Sequence, residues 1–411
     1  MPAFFILRLH AVVAALAVGL SFSASPVLAA PGFVIGLTNG PLPAAGILVE
    51  FTPRIPVDRS WQAMIGGHSS IAFQTNAEGK VLLQLTSLQA AETRTIHFEP
   101  GHAHQPVRAL HGAELKGGTL IATADGAPMY RYEGLPTPLP RPGIRQVFQR
   151  GGYIHPLYTP SGLVVTDDYA TNHLHHHGIW FAWSKTEFMG RHPDFWNVAE
   201  NSGTVLAKGV ERYWSGPVAN GFVGNHDFID LTSGQPTVAL KEQWICQAFA
   251  TTVDGQQVHV IDLSSTQNCL GTNRVLLTKY LYGGIGYRGP ENWGGTNGCN
   301  WLTSEGESIR VKAHGTKARW CRVTGYVSGI MAGVALLDHP ANMHAPQPLR
   351  VNPTEPFLCL APPQESPFSI EPGKPYISKY RIVVFDGELP AASLDQLWEG
   401  FAHPPTVSTL P

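Results

Sequence analysis

The sequence predicts an all-β fold in which antiparallel strands form two packed sheets. Short segments of alternating polar and apolar residues recur along the chain, whereas helix signals are scarce. Glycine and proline together contribute 77 of the 411 residues (43 plus 34), as expected for many turns between short strands. The strand patterns follow one another without intervening helices, which favours antiparallel pairing.

The first 30 residues have the pattern of a secretory signal peptide. Residues 1–10 contain one arginine and no acidic residue, an apolar run follows from Ala11 to Phe22, and small residues lead to Ala29 and Ala30. The apolar run is shorter than the roughly 20 residues of a membrane span. We therefore expect a periplasmic or secreted protein with no membrane span after removal of the signal.

The low charge of the chain excludes two classes of partner. Charged residues make up 14% of the sequence, and the formal net charge is −2. Binding to nucleic acid or to an anionic membrane surface depends on a surplus of lysine and arginine. We therefore expect neither nucleic acid nor a lipid surface as a partner.

The chain after the signal, about 380 residues, is longer than one small core accommodates. Alternating segments separated by turn signals predict a small N-terminal β domain over residues 31–105. These segments are Ser69–Phe73, Lys80–Leu85 and Thr93–Phe98. The stretch Pro100–Pro106 is predicted to link this domain to a large β domain over residues 106–411.

The strongest hairpin signal lies in the middle of the large domain. Leu240–Thr252 and Gln257–Leu263 both alternate, and the Asp254–Gly255 dipeptide between them is typical of a tight turn. Further strand patterns occur at Thr119–Glu133, Leu276–Tyr282, Ile309–Ala313, Arg319–Val327, Met331–Leu337 and Tyr380–Phe385. One amphipathic helix is predicted at Ala391–Phe401, with Ser393 as its N-cap.

Five cysteines follow the signal: Cys246, Cys269, Cys299, Cys321 and Cys359. An oxidising compartment permits disulfides, but an odd number leaves at least one thiol free. No pair has C-x-x-C spacing. One disulfide and a set of buried free thiols are therefore the two alternatives.

The most informative segment is Asn172–Trp183, in which four histidines lie within five positions before an aromatic run. In a strand, His173 and His175 project to one face and His176 to the other, whereas in a loop all three can converge. Imidazole transfers protons near neutral pH and binds Zn²⁺, Cu²⁺ or Fe²⁺. The cluster is predicted to be a catalytic or ligand-binding site. A divalent metal ion held by the three residues and a structural polar loop are the alternatives.

Three tryptophans lie within 17 positions and are accompanied by polar residues. Trp180, Trp183 and Trp196 can stack on the apolar faces of a sugar, and Asp194 and Asn197 can pair with its hydroxyls. Packing in the interior of the sandwich is the alternative. The group as a whole favours a binding cleft.

Charged residues after a glycine-rich turn supply further candidates. Arg288 can hold a carboxylate through two parallel hydrogen bonds, and Glu291 can act as a general acid or base. A structural ion pair between them is the alternative. Tyr153, His155 and Tyr158 can add a proton relay.

A further polar cluster follows the predicted strand Met331–Leu337. Loops gather at strand ends, so these polar side chains are predicted to contact the substrate. The residues are His339, Asn342 and His344.

Five blocks of the chain, taken in order, resemble the protein family labelled PmoA. They are Tyr153–Gly162, Asn172–Phe181, Asp194–Asn197, Gly283–Arg288 and Asp338–Pro346, and the resemblance covers about residues 120–390. It implies a large β-sandwich of supersandwich character. Where the family usually has Asp-His-Pro-His-His-Arg-Gly, this chain has Asn-His-Leu-His-His-His-Gly, so three histidines are shared. The oxygenase that the label suggests would need several apolar spans of about 20 residues, and none follows the signal.

The resemblance also implies a role in carbohydrate metabolism. The predicted function is therefore an exported enzyme that cleaves or rearranges a glycoside, as a hydrolase or a lyase. A histidine is predicted to act as acid or base, with His176 first and His175 second, and Tyr158 or Glu291 completes the pair. Arg288 is predicted to anchor the substrate.

The site residues leave the reaction open. Two carboxylates at a suitable separation, such as Glu291 with Asp194 or Asp338, would indicate hydrolysis. A lyase would instead place Arg288, histidine and tyrosine around a uronate or keto group. A sugar-binding protein without turnover and a metal-dependent enzyme are the alternatives from other classes.

Overall fold

The computed structural model describes residues 32–67, 69–101 and 110–410. The predicted signal peptide lies outside these residues, as does most of the predicted linker Pro100–Pro106. The all-β prediction is confirmed, because 54% of the structure is strand and 8% is helix, in several large antiparallel sheets.

The first seven strands precede the undescribed residues 102–109. They are β1 (Phe33–Thr38), β2 (Ala44–Phe51), β3 (Trp61–Ile65), β4 (Ser69–Ile71), β5 (Phe73–Thr75), β6 (Val81–Leu88) and β7 (Thr93–Pro100). β1, β7, β3 and β4 belong to one sheet, and β2, β6 and β5 form another. The two sheets enclose a core that includes Ile35, Phe73, Leu83 and Phe98. This core forms because the segments alternate apolar and polar residues, so every second side chain faces the opposite sheet.

The remaining strands follow residue 110. They are β8 (His111–Lys116), β9 (Thr119–Ala124), β10 (Ala127–Glu133), β11 (Tyr153–Leu157), β12 (Asp168–Ala170), β13 (His173–His177), β14 (Ile179–Ala182), β15 (Thr186–Phe188), β16 (Gly203–Trp214), β17 (Asn220–Asp230), β18 (Thr237–Val253), β19 (Gln256–Cys269), β20 (Val275–Leu277), β21 (Gly284–Arg288), β22 (Cys299–Thr303), β23 (Trp320–Val327), β24 (Ile330–Asp338), β25 (Leu349–Val351), β26 (Phe357–Leu360), β27 (Phe368–Ile370), β28 (Tyr376–Asp386) and β29 (Thr406–Leu410). The described residues contain two α-helices, α1 (Arg310–Ala313) and α2 (Ala391–Ala402). The same part of the chain has four 3₁₀ turns, at Gln146–Phe148, Val198–Glu200, Glu291–Trp293 and Pro362–Gln364.

Two eight-stranded sheets form the large sandwich. Sheet I has the order β25-β26-β21-β14-β11-β10-β9-β8, and sheet II has the order β16-β17-β18-β19-β28-β24-β23-β22. Their facing side chains make one continuous core that includes Trp180 and Tyr132 from sheet I and Trp244 and Phe222 from sheet II. The last strand of the chain, β29, pairs with β1 and so joins the N-terminal sheet.

The local predictions have mixed outcomes. The hairpin β18–β19 turns at Asp254 and Gly255, whose φ values of 48° and 80° match the tight turn that the dipeptide predicts. The strand predicted at Ile309–Ala313 is wrong, because Arg310–Ala313 is a short helix. Helix α2 is found, but Ser393 is not its N-cap. Pro390 occupies that position, and Ser393 instead donates a hydrogen bond to the carboxylate of Asp254.

The cysteines are all free, and four of the five are buried. The alternative of one disulfide is therefore not realised. The described helices include none that is long and apolar enough to cross a membrane.

A chain of buried polar side chains crosses the interior between the two large sheets. His226 of sheet II contacts the Tyr132 hydroxyl of sheet I at 2.7 Å and Glu242 Oε2 at 2.8 Å. Glu242 Oε1 accepts hydrogen bonds from Ser265 at 2.6 Å and from Gln267 at 2.8 Å. Burial acts to raise the pKa of Glu242, but these hydrogen bonds outweigh it and leave the pKa below its ordinary value.

Arg381 connects three parts of the fold. Its Nε and Nη2 donate to the two carboxylate oxygens of Asp262 at 2.6 and 2.7 Å, within sheet II. Its Nη1 donates to the carbonyl of Gly46 in β2 and to that of Leu397 in α2, both at 2.9 Å. Gly46 has a φ of 57°, and a Cβ there would lie 2.7 Å from the Leu397 side chain, so only glycine fits this junction.

We expect Arg381→Met to lower the free energy of unfolding by about 3–5 kcal/mol, because it leaves a carboxylate and two carbonyls without their buried donor. Urea unfolding followed by tryptophan fluorescence measures this. Lys116→Met is the matched control, since the Lys116–Glu114 pair is exposed and should change stability by less than about 1 kcal/mol. Equal effects of the two variants would contradict the structural role of Arg381.

Candidate functional site

The histidine cluster lies on a two-stranded ribbon of β12 and β13 beside sheet I. Asp168 pairs with His177, and Ala170 pairs with His173, so one residue of β12 faces three residues of β13. The surplus residues form a bulge, and a bulge redirects side chains that would otherwise alternate. In a regular strand, the ring of His176 would lie on the opposite face from those of His173 and His175. The bulge brings the three rings together.

The rings of His173, His175 and His176 form a compact group. His173 stacks on His176 with ring centroids 4.7 Å apart and an interplanar angle of 14°, and His175 meets His176 edge-on at 4.7 Å. His176 is 3% exposed and is covered by Phe357 at 4.7 Å and Trp180 at 5.0 Å. His173 and His175 are half-buried.

The imidazoles of this group are neutral near pH 7. Burial, followed by the charge of neighbouring histidines and of Arg288, lowers the pKa of His175 to about 3. Burial has the same effect on His173 and His176, with Arg288 contributing at both. The buried Nδ1 atoms of His173 and His176 have no hydrogen-bond partner among the described residues. A neutral ring can accept a proton or a hydrogen bond, so the group can serve as a set of acceptors.

The predicted metal site on His173, His175 and His176 is not supported. Within the described ranges, no group of three or more His, Cys, Asp or Glu side chains is arranged to hold a metal ion. The physical reason is the stacking of His173 on His176, because a shared ion needs nitrogen lone pairs that converge rather than ring faces in contact.

Arg288 lies at the end of β21, next to the bulge. Its side chain is 1% exposed, and its Nη2 donates to Asn172 Oδ1 at 3.1 Å and to Glu355 Oε2 at 3.0 Å. Its buried Nε and Nη1 find no partner in the described part of the chain. The ion pair suggested between Arg288 and Glu291 is therefore replaced by one with Glu355.

Glu355 is the acidic residue that the sequence interpretation missed. It lies in the loop between β25 and β26, where Asn352 Oδ1 accepts a hydrogen bond from its backbone N–H at 2.9 Å. Arg310 donates to its backbone carbonyl. The available signal was Asn352 followed by Pro353 between two strand patterns, which indicates a turn but not a site.

Two more carboxylates lie near Arg288. Glu291 is exposed and accepts a hydrogen bond from the Thr171 hydroxyl at 2.5 Å, just before Asn172 in the β12–β13 turn. Asp167 is half-buried, and its backbone N–H bonds the Arg288 carbonyl at 3.0 Å. Burial raises the pKa of Asp167 above its ordinary value, and the Glu291 carboxylate adds a smaller increase. The hydrogen bond from the Asp168 amide and the charge of Arg288 lower this pKa but do not outweigh burial.

A second polar group lies at the other end of β13. His177 Nδ1 is 2.6 Å from Asp168 Oδ1, and the Tyr153 hydroxyl donates to Asp168 Oδ2 at 2.9 Å. His155 bonds the Thr166 hydroxyl through Nδ1 at 3.0 Å. The predicted relay of Tyr153, His155 and Tyr158 is not formed. The hydroxyl of Tyr153 bonds Asp168, and the backbone carbonyl of Tyr158 bonds His259 of sheet II.

Trp180, Trp183 and Trp196 are at most 2% exposed. The Trp180 and Trp196 rings are 5.0 Å apart behind His176, and Trp183 Nε1 donates to Gln267 Oε1 at 2.6 Å. None offers a ring face to solvent, so the predicted stacking on a sugar is not supported. Trp180 lies on β14, an interior strand of sheet I that is buried on both faces, and this favours large apolar residues.

Asp194 and Asn197 form a turn rather than a sugar-binding edge. Asp194 Oδ1 accepts the backbone N–H groups of Trp196 and Asn197 at 2.9 and 2.8 Å, and its Oδ2 accepts the Asn197 amide at 2.8 Å. A cavity of about 270 Å³ adjoins this turn, lined by Lys185, Thr186, His192, Asp194, Glu200 and Thr278. The Tyr282 hydroxyl donates to Asn197 Oδ1 at 3.2 Å.

The predicted substrate contacts His339, Asn342 and His344 hold their own loop. Asn342 donates to Asp338 Oδ1 at 2.7 Å, and His344 Nδ1 lies 3.1 Å from the Pro362 carbonyl. The ring of His339 packs edge-on against Phe401 at 5.0 Å. Burial raises the pKa of Asp338 to about 7. None of these contacts reaches the histidine cluster within the described residues.

A family of unknown function (DUF6807) matches residues 120–399. The chain belongs to this family. The matched residues contain the whole β12–β13 ribbon, Arg288 and Glu355, whereas β1–β8 lie outside them. The resemblance to the family labelled PmoA covers nearly the same residues and stays a prediction.

No curated protein matches the chain. Two solved structures from Enterococcus faecalis are similar to it. A protein in glycosyl hydrolase family 38 has 8% identity and a TM-score of 0.42, over 92% of this chain and 47% of that one. An alpha-mannosidase of strain V583 has 9% identity and a TM-score of 0.42, over 92% of this chain and 46% of that one. The chain thus spans about half the length of both.

The depressed pKa of His175 makes stability depend on pH. The ring is protonated below about 6.5 in the unfolded chain but only below about 3 in the folded protein, so stability falls as the pH falls through this interval. We expect His175→Gln to reduce the slope of the free energy of unfolding against pH by up to about 1.4 kcal/mol per pH unit, which corresponds to one proton. Urea unfolding at several values between about pH 4 and about pH 7 measures this slope.

The exposed His192 provides the control, since His192→Gln should leave the slope unchanged. A slope that persists in full after His175→Gln would show that the His175 ring is solvated in the folded protein.

Proposed function

We propose that the protein is an exported carbohydrate-active enzyme that hydrolyses a glycosidic bond at the β12–β13 ribbon. The observation that carries the proposal is the set of three carboxylates around Arg288. Asp167 and Glu291 are two carboxylates in different environments, one half-buried with a raised pKa and the other exposed. Such a difference is what separates an acid from a base in glycoside hydrolysis.

The residues take the following roles. Asp167, whose raised pKa favours the protonated form, donates a proton to the oxygen of the leaving group. Glu291 acts on the sugar or on the attacking water as the base or nucleophile. Arg288 is a positioning residue, because its salt bridge holds Glu355 and its hydrogen bond to Asn172 holds the turn next to Glu291.

The half-buried histidines replace His176 as the imidazoles that meet the substrate. His173 and His175 are neutral and only partly buried, so they can accept hydrogen bonds from sugar hydroxyls. His176 lies under Phe357 and Trp180 and supports the other two rings by stacking. The acid and base roles are therefore assigned to the carboxylates of Asp167 and Glu291 and not, as the sequence had predicted, to His176.

Export is part of the proposal. The arginine, the apolar run and the Ala29–Ala30 site at the N-terminus support a periplasmic or secreted protein. Sugar binding without turnover is the second candidate function. The replacement of Asp and Arg by Asn172 and His177, relative to the resembled family, favours it.

We expect cleavage of at least one member of a panel of 4-nitrophenyl α- and β-glycosides of glucose, mannose, galactose and xylose. Glu291→Gln should lower kcat/KM by about 10²–10⁴-fold on these substrates, because it removes the base or nucleophile. Asp167→Asn should cause a similar loss on the corresponding methyl glycosides, whose departing alkoxide needs a proton. The rate should also fall as the pH rises through the pKa of Asp167. Release of 4-nitrophenol, or of free sugar from the methyl glycosides, measures the rates of the wild-type protein and of both variants.

Glu365→Gln is the control, because Glu365 is an exposed carboxylate whose partner is Lys317. Full activity in both Asp167→Asn and Glu291→Gln would sink the assigned roles. Binding of a sugar with no release from any glycoside would favour the second candidate function.

A further inference from the structure

Arg288 has more hydrogen-bond donors than partners. A guanidinium carries N–H donors on each of its nitrogens, but both described hydrogen bonds of Arg288 come from Nη2, to Asn172 Oδ1 and to Glu355 Oε2. Its side chain is 1% exposed, and its buried Nε and Nη1 have no partner among the described residues. Buried polar groups in proteins are almost always paired, so these donors indicate a ligand that supplies acceptors.

Arg310 adds a second cation beside Glu355. Its Nη2 donates to the Glu355 backbone carbonyl, and its Nη1 donates to the Gly295 carbonyl at 2.6 Å. Both partners are neutral, so the charge of Arg310 offsets that of the exposed Glu291. Burial raises the pKa of Asp167, which reduces the charge of the third carboxylate. An anionic ligand that pairs with Arg288 is therefore not opposed by a large surplus of negative charge.

The contact of Glu355 with Arg288 is one that a ligand can replace. Glu355 lies in a loop, its side chain is 19% exposed, and its carboxylate has one described hydrogen bond, the 3.0 Å contact with Arg288 Nη2. Each edge of a guanidinium that can hold both oxygens of a carboxylate consists of Nη2 with either Nε or Nη1. A ligand carboxylate that replaces Glu355 at Nη2 therefore also engages one of the unpaired donors. The exchange of one carboxylate for another leaves the charge at Arg288 unchanged.

We infer that Arg288 receives a carboxylate carried by the substrate, so that the site prefers glycosides of uronic acids to those of neutral sugars. This inference rests on the proposed function, of which it names the substrate class. In the free protein, Glu355 compensates the buried charge of Arg288. When the substrate binds, Glu355 moves towards solvent, and the half-buried His173 and His175 accept hydrogen bonds from the hydroxyls of the same sugar.

The test is binding of matched sugar pairs to the full-length mature protein. Methyl glycosides of glucose, mannose and galactose are compared with the corresponding methyl uronides by isothermal titration calorimetry at low salt. Each pair differs only at C6, where a hydroxymethyl group is replaced by a carboxylate. We expect at least one uronide to bind at least about tenfold more tightly than its neutral partner. Sodium acetate, which offers the carboxylate without the sugar, should bind more weakly than that uronide.

Two variants connect the preference to Arg288. Glu355→Gln should raise uronide affinity at least about fivefold, since it removes the carboxylate that competes for Nη2. Arg288→Lys should lower uronide affinity at least about tenfold and leave neutral sugars within about twofold, because an ammonium has no edge that holds both oxygens. Raising NaCl from about 0.05 M to about 0.5 M should weaken the uronide but not its neutral partner. Glu365→Gln, at an exposed ion pair elsewhere, should change neither affinity.

A panel in which no uronide binds more tightly than its neutral partner overturns the inference. Acetate that binds as tightly as the best uronide also overturns it, because the site would then recognise an anion and not a sugar. An unchanged uronide affinity in folded Glu355→Gln counts against it. If neither variant folds, the matched pairs and their salt dependence in the wild-type protein decide. Failure of the proposed hydrolysis is a separate outcome, because it appears as preferential binding of uronides without release of product from any glycoside.

Discussion

The His226–Glu242 pair is the interaction on which the large sandwich depends. Both side chains are 1% exposed, in the middle of a core otherwise made of aromatic and aliphatic groups. A buried ion is tolerated only when every remaining lone pair and proton has a partner, and here Tyr132, Ser265 and Gln267 provide them. Gln267 in turn accepts the indole N–H of Trp183. The network therefore fixes how the two eight-stranded sheets face each other, since a shift of one strand register would leave the buried Glu242 carboxylate without its hydrogen-bond donors.

This fixed frame carries the site. β14 and β21 are neighbouring strands of sheet I, and the ribbon of β12 and β13 continues directly into β14 through Gly178. Gly178 has a φ of 23°, and a Cβ there would lie 2.0 Å from the Ile154 carbonyl, so the ribbon can approach β11 only with glycine at this position. The histidines are thus mounted on rigid strands, whereas Glu291 and Glu355 come from loops that Thr171 and Arg288 tie to the same place. Residues on strands and loops combine in this way in many binding sites.

Much of the fold could be predicted because it follows from local patterns. The β18–β19 hairpin needed only alternation and an Asp-Gly turn, and the all-β class needed only repeated short strands with many turns. The candidate site was predicted in part: His173, His175 and His176 come together and Arg288 lies beside them, whereas Glu291 bonds Thr171 instead of Arg288. Asp167 and Glu355 were missed because an isolated carboxylate carries no local signal. The tryptophans were misinterpreted because the same aromatic run suits a cleft or a doubly buried strand, and only the position of β14 within sheet I distinguishes them.

The sequence by itself determined the strands, the turns and the residue types available for chemistry, because these depend on near neighbours and on backbone preferences. The pairing of Arg288 with Glu355, 67 positions later in the chain, was decided only by the tertiary structure. So were the convergence of His173, His175 and His176 at a bulge, the return of β29 to β1, and the burial that keeps the imidazoles neutral. Each of these depends on which distant segments are brought together and on how much water they exclude, and neither quantity is present in any local pattern.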